Sequence, residues 1–232
     1  MRLGGLQKQS LIDYPGKVAC VLFLSGCNFD CPYCHNPDLA RGCATCPANL
    51  DGDRLFDFLE QRKGFLDGVV ISGGEPTLQG DLEALCRTIK AMGYPVKMDT
   101  NGSRPSKIRE LIEGGLVDYI AMDIKTDPFR YSPLIKRDFD PKSILASIDI
   151  IMASGMPYEF RTTCIPSLVD DRTIERIVML IQGARLYAIQ QFQETEVLHP
   201  ECFQGGRGRY DDDVLERFRA IAEPWVERCI VR

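Results

Sequence analysis

The chain of 232 residues contains no run of the roughly 20 apolar residues that a membrane-spanning helix requires. Its start, Met1 to Ser10, lacks the long apolar stretch of a signal peptide, so a cytoplasmic protein is expected. An excess of basic residues is missing too. The 28 Lys and Arg stand against 33 Asp and Glu, a formal charge of −5, which removes the general electrostatic reason to expect nucleic acid as a partner. No domain linker, internal low-complexity tract or long charge run interrupts the chain; the triplet Asp211 to Asp213 reads as an acidic helix start. Histidine is scarce, and neither His35 nor His199 has a base or nucleophile constellation around it in sequence. Cysteine is the exception, with ten residues. In a reducing cytosol they are expected as metal ligands, catalytic groups or small core residues rather than as a disulfide framework.

Hydrophobic periodicity alternates between strand and helix. The apolar run Val18 to Leu24 reads as a strand and is followed by a polar, Cys-rich loop from Ser25 to about Asn49. Leu55, Phe58 and Leu59 fall at helical spacing before Gly64; Gly68 to Ser72, with the β-branched run Val69, Val70 and Ile71, reads as a strand; Leu82, Leu85, Cys86, Ile89 and Met92 repeat as a helix before Gly93. Val96 to Asp99 then leads to a helix with Ile108, Leu111 and Ile112, and Val117 to Asp123 to one entered through Asp140 and Pro141, an N-cap and first-position pair. Tyr158 to Thr163 and Leu186 to Gln191 each precede a further helix, the first with Ile174 to Ile181 and the second with Val214 to Ile221. Six strand and helix pairs predict an α/β protein with a parallel sheet, two units short of a complete eightfold barrel. An open, partial (βα)6 TIM-like barrel is expected over a single domain, residues 1–232, with a doubly wound open sheet as the alternative.

Polar segments follow each of the six strands: the Cys loop, Gly73-Gly74-Glu75-Pro76, Asp99-Thr100-Asn101-Gly102, Asp123-Ile124-Lys125, Arg161-Thr162-Thr163 and Gln190-Gln191-Phe192-Gln193. Parallel α/β folds carry their sites at the carboxyl ends of strands, so this placement predicts an enzyme. Cys27, Cys31 and Cys34 have the spacing C-x3-C-x2-C, which puts three thiolates on one short loop. A structural zinc site needs four closed ligands, with His35 or Cys43 available as the fourth. An iron–sulfur cubane on three thiolates would instead keep one iron open to bind a ligand and pass it an electron.

With Tyr33 just before the third cysteine, the Cys27, Cys31, Cys34 spacing resembles the signature of the radical S-adenosylmethionine (SAM) superfamily. Gly73-Gly74-Glu75-Pro76 is similar to the family's Gly-Gly-Glu-Pro motif. Within the superfamily the chain resembles the glycyl-radical-enzyme activases, above all those of anaerobic ribonucleoside-triphosphate reductase. That likeness rests on Ser10-Leu11-Ile12-Asp13-Tyr14-Pro15-Gly16, Cys34-His35-Asn36-Pro37, Asp99-Thr100-Asn101-Gly102, Met122-Asp123-Ile124-Lys125 and Tyr187-Ala188-Ile189-Gln190-Gln191-Phe192. The resemblance implies an open six-stranded barrel of the radical SAM type. It also implies a [4Fe–4S] cluster on Cys27, Cys31 and Cys34 whose open iron chelates SAM, and reductive cleavage of SAM to a 5′-deoxyadenosyl radical. Tyr33, Gly73, Gly74, Glu75, Asn101, Lys125, Arg161 and Gln191 are implied SAM contacts. Asp99, Asp123 and the Ala121 carbonyl are implied ligands of a monovalent cation beside the SAM carboxylate; each aspartate could equally cap a turn. The implied partners are a glycyl radical enzyme and a low-potential electron donor such as flavodoxin or ferredoxin.

Cys43 and Cys46 form a separate C-x2-C pair, and Cys202 beside His199 could join them in a second metal site if folding brought the segments together. The C-terminal extension begins at about residue 194. Cys20, Cys86, Cys164 and Cys229 lie in apolar contexts and are expected in the core. Two other functions remain open at this point: a radical SAM enzyme acting on a small molecule, nucleoside or peptide, and a zinc-stabilised binding or electron-transfer module without catalysis.

Overall fold

The computed structural model describes residues 2–42, 52–131, 135, 140–203 and 208–232. The chain forms two compact units. The first comprises Met1–Asn28, Asn36–Thr100 and Ser106–Ile120, and the second Phe29–His35, Asn101–Pro105 and Ala121–Arg232.

In the first unit β1 (Leu3–Ser10), β2 (Ala19–Leu24), β3 (Gly68–Gly73) and β4 (Val96–Thr100) lie side by side in chain order. Strands β2, β3 and β4 are parallel, whereas β1 runs antiparallel to β2. Five of the six residues of Ala-Cys-Val-Leu-Phe-Leu in β2 are buried, as a strand covered on both faces requires. Short helix α1 (Pro37–Ala40) lies in the Cys loop, and α2 (Gly52–Gln61), α3 (Leu82–Ala91) and α4 (Pro105–Glu113) are the connections. Each turns a stripe inward at three- and four-residue spacing: Leu55 and Leu59; Leu82, Leu85, Cys86 and Ile89; Ile108 and Leu111. The β2–β3 register pairs Leu24 with Gly73, so the Cys loop and the Gly-Gly-Glu segment leave neighbouring strands at the same level.

Strand β5 (Tyr119–Asp123) starts in the first unit and ends in the second. The second unit holds α5 (Pro141–Ala153), β6 (Tyr158–Cys164), α6 (Asp171–Leu180), β7 (Tyr187–Gln191), α7 (Asp212–Ala222) and β8 (Cys229–Val231), with β6, β7 and β8 parallel. Asp140 caps α5 as expected, its carboxylate accepting the Lys142 N–H at 3.0 Å with Pro141 behind it. The Tyr187 hydroxyl, fully buried, donates to Thr162 Oγ1 at 2.8 Å and so ties β7 to β6.

The expected count of six strands is corrected to eight among the described residues. Six match the predicted ones; β1 and β8 are additional. β1 carries Gly4 and Gly5 and no apolar alternation, and its pairing with β2 shifts register twice. It is a strand because β2 supplies a partner. β8 has three residues, too few for a period. No helix among the described residues is long and apolar enough to cross a membrane.

Candidate active site

In the first unit the site is built by close backbone approach. Gly74 N–H donates to the Leu24 carbonyl and Glu75 N–H to the Gly26 carbonyl, both at 2.8 Å, which stitches the Gly-Gly-Glu segment to the residue before Cys27. A Cβ on Gly74 would lie 2.1 Å from the Gly26 oxygen, and one on Gly73 2.3 Å from the Leu24 oxygen. Gly73 also has φ +117°, a conformation side chains rarely adopt. Gly26 and Cys27 N–H groups bond in turn to the Leu39 and Ala40 carbonyls of α1, at 2.7 and 3.2 Å. The first cysteine is therefore anchored on both sides by backbone.

Glu75 is fully buried, and its Oε1 accepts Thr77 N–H at 3.1 Å, the Thr77 hydroxyl at 2.5 Å and the Thr100 hydroxyl at 2.8 Å. Its side chain thus braces the turn after β3 against the end of β4. Thr77 and Thr100 are partners that motif reading missed. Asp99, at the end of β4, pairs with the Lys97 ammonium at 2.5 Å; Lys97 is 1% exposed and lies 5.9 Å from the Tyr119 ring centroid. A lone lysine in the apolar stretch Val96-Lys97-Met98 was the signal for it.

In the second unit the site is built by charge. Asp123 takes Lys125 Nζ on Oδ2 and Arg161 Nε on Oδ1, each at 2.7 Å. Burial alone would push the Asp123 carboxyl up, but the two cations hold it far below the usual carboxylate range. Burial would likewise lower Lys125, yet Asp123 drives its ammonium well above the ordinary lysine value. The Lys125 backbone N–H donates to the buried Tyr131 hydroxyl at 2.7 Å. Tyr33 belongs to the same group: it is 4% exposed, burial raises its phenol strongly, and Lys125 acts in the opposite sense. The Tyr33 hydroxyl is buried with no hydrogen-bond partner among the described residues. Gln191 at the end of β7 donates Nε2 to the Tyr210 carbonyl at 2.8 Å, while its buried Oε1 has no hydrogen-bond partner among the described residues. Asn101 Oδ1 accepts the Ser103 N–H, and Ala121 is fully buried in β5.

Cys31 is buried and Cys34 half-buried, joined by a turn in which Cys34 N–H donates to the Cys31 carbonyl at 3.1 Å. Cys27 is half-buried. No group of three or more His, Cys, Asp or Glu among the described residues stands as a formed ligand set. Cys43 and Cys46 lie outside the described residues, and Cys202 is exposed in the short 3-10 helix Pro200–Phe203. Cys20, Cys86, Cys164 and Cys229 are buried as expected, and burial pushes each thiol up to about 12, so none acts as a thiolate near neutrality.

A family model described as the radical SAM superfamily matches residues 21–181. A Methanocaldococcus jannaschii protein, provisionally named a glycyl-radical enzyme activating enzyme, is 36% identical over 238 residues, covering 99% of this chain and 95% of its own. The pyruvate formate-lyase-activating enzyme of Clostridium pasteurianum is 29% identical over 197 residues, 79% of this chain and 77% of its own. Among solved structures, Streptococcus suis SuiB bound to S-adenosylmethionine matches 91% of this chain with a TM-score of 0.66 at 13% identity, a likeness of fold. This chain spans 51%, about half, of that SuiB chain. The alternation of strands and helices, the Cys27, Cys31, Cys34 spacing followed by Gly73-Gly74-Glu75-Pro76, and a family match over most of the chain lead to one assignment: the chain belongs to the radical SAM superfamily and has its α/β, partial TIM-like barrel fold.

Proposed function

We propose that this enzyme is a glycyl-radical-enzyme activase whose partner is anaerobic ribonucleoside-triphosphate reductase. Membership in the superfamily implies a [4Fe–4S] cluster and SAM as cofactors. Cys27, Cys31 and Cys34 are the proposed cluster ligands. Their chemistry fits: three thiolates satisfy three irons and leave one for the amino acid end of SAM. Held by Cys27, Cys31 and Cys34, a reduced cluster would supply one electron for cleavage of SAM to methionine and a 5′-deoxyadenosyl radical, and hydrogen abstraction from a glycine Cα would then give 5′-deoxyadenosine and a glycyl radical.

The chain's own residues would bind and orient. Gly73 and Gly74 let the segment close onto the Leu24 and Gly26 carbonyls, which leaves no room for a side chain between them; the acceptors proposed for the SAM ammonium group are the backbone carbonyls of this segment and Glu75. Asp123, Lys125 and Arg161 together carry a net charge of +1, which favours a carboxylate beside them. The Tyr33 hydroxyl and Gln191 Oε1, which have no partner among the described residues, are the further groups proposed to face cofactor, with Asn101 after β4. A monovalent cation on Asp99, Asp123 and the Ala121 carbonyl is part of the proposal. It requires Lys125 or Arg161 to turn away from Asp123 when the cation enters, so exchanging potassium for a bulky organic cation is expected to weaken SAM binding. Cys43, Cys46 and Cys202 are proposed to stand outside the main cluster. A low-potential flavodoxin or ferredoxin is the proposed donor.

The observation that carries the activase reading is identity at 36% along almost the whole length of a protein named for that activity. The test combines anaerobically reconstituted protein, reductant, SAM and candidate reductase, read by electron paramagnetic resonance. A glycyl doublet with stoichiometric 5′-deoxyadenosine is expected, and alanine at any of Cys27, Cys31 or Cys34 should abolish both. 5′-Deoxyadenosine formed with a small molecule but never with a glycyl radical enzyme would shift the reading to small-molecule chemistry. Zinc in place of iron would end it.

A further inference from the structure

The chain has two histidines, far apart in sequence, and both join the Cys loop to the segment that follows β7. His35 Nε2 meets the Gln193 carbonyl at 3.0 Å, and its ring stacks on Phe192 with centroids 5.2 Å apart and planes at 13°. Phe192 stacks in turn on Phe203 at 5.4 Å and 10°. His199 N–H donates to the Pro32 carbonyl at 3.0 Å. Its ring bridges two carboxylates, Nε2 to Asp30 Oδ1 and Nδ1 to Glu201 Oε1, both at 3.0 Å. The contacts fall on Asp30 and Pro32, which flank Cys31, and on His35, which follows Cys34. Behind the stack Gly208 leaves the room that Phe192 needs, since a Cβ there would lie 2.8 Å from the Phe192 ring.

We infer that Phe192 to Phe203 is a clasp on the Cys loop, in which His199 and the His35–Phe192–Phe203 stack position Cys31 and Cys34 and thereby control how firmly the cluster is retained. Ring stacking supplies the apolar part of the grip and His199 its register, because one residue binds the loop through backbone and side chain at once. Each contact alone is modest: the His199 pair with Asp30 is largely exposed, and such pairs contribute little singly. Groups behind metal ligands nevertheless change metal affinity by about 10- to 100-fold, because they fix where the ligands point. The residues are positioning residues; none is proposed to touch SAM.

The inference rests on the cluster being held by Cys27, Cys31 and Cys34, so its test has one arm that needs no cluster. In protein free of iron, amide hydrogen exchange is measured at Asp30 and Cys34, whose N–H groups donate to the Ile135 and Cys31 carbonyls. His199→Ala should speed both by about threefold or more, and His199→Gln, whose amide can reach Asp30, should restore most of the protection. In reconstituted protein, iron release to a chelator should be about threefold faster in His199→Ala and about tenfold or more in His199→Ala with Phe203→Ala. Asp30→Asn, a surface change, serves if the alanine variant fails to fold, and should act in the same direction. Parental exchange in both His199→Ala and Asp30→Asn would overturn the clasp. Failure of the parent to take up iron would overturn the cluster assignment instead, with the exchange arm still deciding the clasp.

Discussion

The Gly73–Glu75 corner and the Asp123, Lys125, Arg161 trio both carry residues expected to meet cofactor, yet opposite means hold them. At the corner, position is fixed by volume: two carbonyls occupy the space of absent Cβ atoms, and the Oε1 of a buried carboxylate is held by neutral N–H and O–H donors. In the trio, position is fixed by charge, with one carboxylate between an ammonium and a guanidinium. The difference tells how each should fail. A site held by shape breaks when a methyl group is added and is indifferent to salt. A site held by charge tolerates volume changes and answers to pH.

The largest effect is expected from Gly74→Ala. The added methyl meets the Gly26 carbonyl, which is itself bonded to the Glu75 N–H, so neither side can yield without breaking the stitch at Cys27. Denaturant unfolding should show a loss of about 3 kcal/mol or more, together with poor cluster retention. Gly80→Ala is the control: nothing lies within 4 Å of the added carbon, and stability should stay within about 0.5 kcal/mol of the parent. Next comes Arg161→Met, which leaves Asp123 with Lys125 alone. Breaking a buried pair costs about 3–5 kcal/mol, and the partial exposure of this carboxylate reduces the expectation to about 1–3 kcal/mol.

Acid titration sharpens the contrast. The Asp123 carboxyl is lowered in the folded protein from its ordinary value of 3.8, so the unfolded chain binds its proton first. Its stabilisation is complete above that ordinary value and is lost as pH falls from there toward the lowered native value. Asp123→Asn should flatten the acid limb of stability against pH, whereas Gly74→Ala should shift the curve down and leave that limb in place. Equal acid slopes in parent and Asp123→Asn would show that the trio does not hold its unit by charge.

Most of the frame was legible in the sequence because it is written in period. β3 and the stripes of α3 and α6 repeat at the spacing their burial demands, and the Asp140–Pro141 cap announced α5. The motifs also gave the corner and the trio as neighbourhoods. What they could not give is pairing across the fold. Thr100 is an ordinary strand residue until β4 lies beside the turn after β3, and His199, with only Glu201 near it in sequence, shows no constellation because its partners in the Cys loop, Asp30 and Pro32, are more than 160 positions away. β1 was invisible for the same reason, since its pairing is supplied by β2. Lys125 and Arg161 were expected to face a ligand; in the structure both are turned onto Asp123, a charge balance that spacing alone does not rank.

The smallest effect tests the neutral bracing of Glu75. Thr100→Val keeps the β-branched shape suited to β4 and removes the Thr100 donor to Glu75 Oε1, at a site fully closed to water. Leaving a buried acceptor one donor short would alone cost about 1–3 kcal/mol, but Thr77 still offers its N–H and hydroxyl to the same oxygen. A loss of about 1 kcal/mol is therefore expected from the denaturant midpoint, with the slope unchanged. Because the donors are neutral and the site is buried, the loss should be the same at low salt and at 0.5 M, where the Debye length of about 4 Å screens exposed pairs. If raising the salt altered the cost of Thr100→Val as much as that of Arg161→Met, the corner would be held by charge after all, and the distinction between the two regions would collapse.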